Sequence, residues 1–87
     1  MTVTRRYPLP GWEEFYLKVP KGSVVELKEL RHQPYLYIRM NPGAPVIKKK
    51  FKMSMGRELP PEYTQYVGSI NGANREFYLF TDGKEYE

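Results

Sequence analysis

Gln33-Pro34-Tyr35-Leu36-Tyr37-Ile38-Arg39-Met40, then Asn41-Pro42-Gly43-Ala44-Pro45, then Val46-Ile47-Lys48-Lys49-Lys50-Phe51-Lys52-Met53-Ser54-Met55, is the stretch that decides how this chain is read. In the first run Leu36, Ile38 and Met40 alternate with Tyr35, Tyr37 and Arg39. In the second, Ile47, Phe51 and Met53 alternate with Lys48, Lys50 and Lys52. A period of two marks a strand with one buried face. The residues between the runs are turn formers. The spacing therefore predicts a β-hairpin over 33–55. Setting Met40 opposite Ile47 brings Ile38 opposite Lys49 and Leu36 opposite Phe51. The other face then pairs Arg39 with Lys48, Tyr37 with Lys50 and Tyr35 with Lys52. A one-residue slip would turn every side chain to the other face, so only registers of this parity keep the apolar set together. Lys49 is the exception on the apolar face, where its methylene stem can lie along the core while its ammonium reaches water.

Working outward, residues 1–11 contain Pro8 and Pro10 and are expected to be irregular. Phe15, Leu17 and Val19 alternate with Glu14, Tyr16 and Lys18 and predict a strand, closed by a turn at Pro20-Lys21-Gly22-Ser23. Val24–Arg31 carries both strand and helix spacings; its paired valines and flanking breakers favour a strand. Gly56–Pro61 is a second breaker region. A final hairpin is expected from Gln65–Ile70 and Arg75–Thr81 around Asn71-Gly72-Ala73-Asn74. No segment has a sustained helical period. The predicted fold is all-β, a single small domain over 1–87 of five or six mostly antiparallel strands, barrel-like or strongly bent. The alternative is α+β with one short helix at Val24–Arg31 or Pro61–Val67.

Eighty-seven residues suffice for one modest core. The chain has no cysteine, which fits a reducing, cytoplasmic setting and excludes disulfides and thiolate metal sites. No apolar run approaches a membrane span, and no apolar stretch follows Arg5-Arg6 as a secretory signal requires. Net charge is +4, unevenly spread: +1 over 1–20, +2 over 21–40, +4 over 41–60 and −3 over 61–87. The basic middle suits polyanions. The acidic end, 82–87, is expected either to be loose or to fold back onto the lysines.

Enzymatic chemistry has little to stand on. His32 is the only histidine and adjoins Arg31 in an expected loop, with no partner for catalysis and too few ligands for a metal. Glu13-Glu14 and Asp82, Glu85 and Glu87 lie in polar stretches, and no phosphate-cradling glycine loop or nucleophile motif is present. The reading is non-enzymatic, with no cofactor. Trp12, the single tryptophan, is a core or interface anchor. Met40, Met53 and Met55 are expected to fill the hairpin's inner face.

The expected interface is Tyr35, Tyr37, Arg39, Lys48, Lys50 and Lys52. Cations spaced along a face neutralise phosphates, and exposed tyrosines give bases a surface on which to stack. The same lysines would also guard an exposed strand against edge-to-edge aggregation. Arg5-Arg6 is an additional candidate, as an arm reaching phosphates. The partner expected from these residues is nucleic acid, DNA or RNA. The alternative is an adaptor, or a small viral or accessory subunit, that docks an acidic protein or a partner's strand edge, with self-association also open to it. Lys21-Gly22-Ser23, Gln33–Arg39 and Lys49-Lys50-Phe51 together resemble, over the middle third of the chain, the small β-sheet modules at the N-termini of some phage and viral tyrosine recombinases. That resemblance implies DNA binding; the recombinase catalytic domain has no counterpart here.

Overall fold

The computed structural model of the chain describes residues 1–9, 13–54, 60–72 and 75–87. Within them lie β1 (Val3–Pro8), β2 (Glu14–Pro20), β3 (Val24–Leu30), β4 (Gln33–Met40), β5 (Val46–Ser54), β6 (Gln65–Gly72) and β7 (Arg75–Thr81). They form two antiparallel sheets, a three-stranded one ordered β1-β4-β3 and a four-stranded one ordered β2-β5-β7-β6. The all-β expectation is met, and no helix occurs among the described residues. The strand count is seven rather than five or six, and the barrel does not close, since β1 and β2 each pair on one side only.

The additional strand is β1, inside the segment expected to be irregular. Val3, Thr4 and Tyr7 are strand formers, and Pro8 is tolerated because β1 is an edge. Expectations for Trp12, for Met55, for 56–59 in the second breaker region and for the turn at Ala73-Asn74 fall outside the described residues.

The central hairpin does not form. β4 pairs with β1 and β3, whereas β5 pairs with β2 and β7. The alternation is as expected: Leu36, Ile38, Met40, Ile47, Phe51 and Met53 are all buried and belong to one core cluster. They meet across the interior between two sheets instead of side by side in one. Residues 41–45 form a corner instead of a tight hairpin turn. The Ala44 N–H donates to the Asn41 carbonyl (3.0 Å), and the Lys21 N–H donates to the Pro45 carbonyl (2.7 Å), tying this corner to the β2–β3 turn. Apolar neighbours reward the observed pairing. Leu36 lies opposite Leu27, and Ile38 opposite Val25; Phe51 lies opposite Phe15, and Ile47 opposite Val19. The hairpin register would instead have set Arg39 against Lys48, a like-charge pair that disfavours it.

Within the sheets, β3 and β4 are joined by a two-residue turn. Arg31 and His32 sit at φ 51° and 64°, the left-handed values of a type I′ turn. Arginine is poorly suited to that region, which asparagine and glycine occupy readily. The double change Arg31→Asn with His32→Gly is therefore expected to stabilise the fold by about 1 kcal/mol net of the added chain entropy of glycine. The thermal midpoint should rise by roughly 5 °C. A midpoint that stays put or falls would show that the native side chains contribute enough at the turn to offset the strain.

The two sheets approach each other where edge strand β3 meets edge strand β6. A bulge in β6 between Tyr66 and Gly68 brings Gly68 against Leu27. A Cβ on Gly68 would stand 3.2 Å from the Leu27 Cβ and 3.4 Å from its carbonyl oxygen. The bare glycine permits this approach and so helps close the core on that side.

Candidate nucleic-acid interface

Each sheet buries one face in the shared core and turns the other away from it. Tyr35, Tyr37 and Arg39 alternate with the buried Leu36, Ile38 and Met40, so they occupy the outer face of the three-stranded sheet. Lys48, Lys50 and Lys52 alternate with Ile47, Phe51 and Met53 and occupy the outer face of the four-stranded sheet. The six residues therefore do not form one surface. Their assumed cross-strand pairing depended on a hairpin that is absent, and the two halves lie on different sides of the molecule. Lys49 does face inward, opposite Leu17 and half-buried.

In the lysine half, Lys50 is engaged by the chain's own acids. The Lys50 ammonium, its side chain only 16% exposed, lies 3.6 Å from Glu14 and 3.8 Å from Glu62, and 5.4 Å from the centre of the Tyr63 ring. Burial opposes its charge, but Glu14, Tyr16, Glu62 and Asp82 outweigh that and raise its pKa. Lys48 is covered by the acidic end of the sequence. β7 pairs with β5 only from Phe51 to Ser54, leaving the first half of β5 with a free edge. Residues 82–87 fold onto it. The Lys48 N–H donates to the Tyr86 carbonyl (2.6 Å) and the Tyr86 N–H to the Lys48 carbonyl (2.8 Å). The Tyr86 ring packs edge-on against Tyr16, and its hydroxyl donates to the buried Asp82. Fold-back, not looseness, is thus the state of this segment.

These contacts tie stability to pH. Glu14 is held below the usual carboxylate range, first by the hydrogen bond from the Tyr63 hydroxyl, against partial desolvation, and then by Lys50. Burial pushes Asp82 up, but the Tyr86 hydroxyl, the Lys84 N–H and the charges of Lys50 and Lys84 more than reverse it, and its pKa is lowered. Tyr86 is pushed up to about 12 by its hydrogen bond to Asp82 and by burial. Tyr63 is raised as well, by burial and then by Glu14. Depressed carboxylates give stability that is present above their unfolded pKa of about 4 and is lost as pH falls through the folded values. Raised tyrosines give stability that is lost as pH climbs above about 10. Urea midpoints are therefore expected to form a plateau with a falling limb on each side. Tyr63→Phe combined with Tyr86→Phe should flatten both limbs; an acid limb unchanged in that double variant would contradict the assignment.

The other half of the expected site acquires new members. Pairing of β4 with β1 sets Arg6 opposite Tyr37, and pairing with β3 sets Lys28 opposite Tyr35. Each cation then reaches the diagonal neighbour. The Arg6 guanidinium lies 4.8 Å from the Tyr35 ring centre, and the Lys28 ammonium lies 5.4 Å from that of Tyr37. Both distances suit cation–π attraction. Arg39 stands exposed in the same row. Lys28 also makes an exposed pair with Glu26 at 3.4 Å, of the kind that contributes little. The outer face thus carries Arg6, Lys28 and Arg39 against Glu26, with two half-buried tyrosines between them. Arg6 was legible only as part of a basic N-terminal pair, and Lys28 not at all. The available signal was the Val3–Tyr7 run of strand formers, which marks a strand able to bring Arg6 beside β4.

A second aromatic cluster lies on the outer face of β6 and β7, where Tyr66 packs at 5.7 Å from Phe80 and 6.4 Å from Tyr78. Glu76 accepts a hydrogen bond from the Tyr78 hydroxyl, so this cluster is flanked by acid as well as by Lys52. No group of acidic and histidine side chains suited to a metal ion, and no helix long and apolar enough to cross a membrane, occurs among the described residues. No family model matches the chain, and neither a curated protein nor a solved structure matches it, so the likeness to recombinase DNA-binding modules has no support beyond the residues that suggested it.

Proposed function

We propose that the protein is a non-enzymatic module that binds single-stranded nucleic acid on the outer face of its three-stranded sheet. The observation that carries this reading is the row Arg6–Tyr35 and Lys28–Tyr37, with Arg39 beside it, on a sheet face that no other strand covers among the described residues. Cations there neutralise phosphates. The tyrosines, held upright by the flanking strands, offer stacking surface worth about 1–3 kcal/mol per base. The lysines of β5 are left out of this role, since Glu14 and Glu62 already engage the Lys50 ammonium and the 82–87 segment pairs with the Lys48 backbone.

Anisotropy titrations with labelled single- and double-stranded oligonucleotides across a salt series test the reading. Single strands are expected to bind with a log–log salt slope of about −2, for three cations each displacing about 0.7 counterions. Arg6→Ala with Arg39→Ala should weaken binding and flatten the slope by about 1.4. Lys48→Ala with Lys52→Ala should change affinity less than about twofold, as exposed or self-paired charges contribute little. Binding that lacks salt dependence, or that follows the lysines and ignores the arginines, would sink it. A second reading, docking of a protein partner, is favoured by the Tyr66–Tyr78–Phe80 cluster, in which Tyr66 is 58% exposed. A partner that stays bound after nuclease treatment and is lost on Tyr66→Ala would support that reading instead.

A further inference from the structure

At the end of the proposed face, where β3 turns into β4, lies a cleft of about 330 Å³ lined by Arg6, Leu30, Arg31, Gln33 and Tyr35. Two arginines line it. One, Arg6, is held over the Tyr35 ring; the other, Arg31, projects from a turn in the left-handed backbone region. Neither forms an ion pair among the described residues. No carboxylate lines the cleft, and Glu29, the nearest acid along β3, belongs by alternation to the opposite face of the sheet. The comparable cleft on the four-stranded sheet is different: there Lys18 and Lys48 share the space with Glu87.

We infer that the cleft between Arg6 and Arg31 binds the terminal phosphate monoester of a nucleic-acid strand whose following nucleotides run along Tyr35, Tyr37 and Arg39. The inference rests on the face proposed above and gives it an end. Charge matching selects the ligand. An internal phosphodiester carries one negative charge, whereas a terminal monoester approaches two near neutral pH. Two guanidiniums with no ion pair among the described residues, each a planar fork of donors, match the dianion and its three free oxygens. The Gln33 amide adds a neutral donor, and Leu30 supplies an apolar wall that lowers the local dielectric around the pair. The strained turn has a role in this arrangement, because Arg31 at φ 51° is placed at the mouth of the cleft by a backbone state that arginine rarely adopts.

Three oligonucleotides of one sequence test this: 5′-phosphorylated, 3′-phosphorylated and hydroxyl at both ends. One phosphorylated end is expected to bind about tenfold tighter than the hydroxyl-ended strand, the equivalent of one charge-assisted hydrogen bond. Which end gains sets the direction of the strand on the sheet. Arg31→Asn, which suits the left-handed turn and so keeps the fold, should abolish the preference while leaving hydroxyl-ended binding within about twofold. Equal affinity for all three strands, or a preference that survives Arg31→Asn, would overturn the inference even if the face binds nucleic acid. The face reading fails separately, if the hydroxyl-ended strand shows no salt-dependent binding. A phosphorylated strand that still binds through Arg31 in that case would leave the phosphate site standing alone.

Discussion

Phe51→Ala is expected to remove about half of the chain's stability. Phe51 is 1% exposed and is one of the four largest fully buried side chains, with Leu36, Ile38 and Leu79. It stacks on Phe15 at 5.5 Å and lies in β5 between Phe15 of β2 and Thr81 of β7. Truncating a buried phenylalanine to alanine costs about 3–5 kcal/mol. A domain of this size has a total stability of roughly 5–10 kcal/mol, and a small core has little capacity to collapse around the cavity. A cooperative urea transition moved to much lower urea, by the equivalent of about 3–5 kcal/mol, is the expected result. A cooperative transition shifted by less than about 1.5 kcal/mol would mean that the site repacks and that the core is not organised around this ring.

Gly68→Val is expected to cost about 2–3 kcal/mol by forcing β6 away from β3. The first added carbon already meets the Leu27 Cβ at 3.2 Å and its carbonyl oxygen at 3.4 Å. That carbonyl belongs to a strand held by β4 and cannot retreat without disturbing the Leu27–Leu36 pair. Valine adds two further methyl groups, so the strain falls on backbone as well as on a side chain. A double-mutant cycle with Leu27→Gly, which removes the Cβ that the added carbon meets, provides the check. Removing the Leu27 side chain should relieve part of the clash, with a coupling of about 1 kcal/mol or more. Additive effects would show that the two strands are not in register at Gly68.

How much of this was legible follows from what alternation can report. The strand at β2, the strand reading of β3 and the β6–β7 hairpin were predicted from period-two patterning and turn residues, and the structure has them. Leu36, Ile38 and Met40 were correctly placed on one side of β4, and Ile47, Phe51 and Met53 on one side of β5. The candidate site fared differently. Tyr35, Tyr37 and Arg39 share a face because they lie on one strand, and alternation is enough for that. Their union with Lys48, Lys50 and Lys52 required two strands to be neighbours, and alternation carries no information about neighbours. A five-residue connection with two prolines serves a hairpin loop and a corner between sheets equally well.

The sequence by itself determined which side of each strand is apolar, where the chain turns, and that the basic charge is concentrated around β5. Those are local properties, set by side-chain transfer free energy and by backbone preferences within a few residues. Only the tertiary structure decided which strands are adjacent, because pairing is chosen by the packing of the whole core, with Leu36 against Leu27 and Phe51 against Phe15 in different sheets. That choice sent the lysines to one side of the molecule, where Glu14 and Glu62 engage Lys50. It left the tyrosines of β4 on another, beside Arg6 and Lys28, which are themselves 22 residues apart in the sequence.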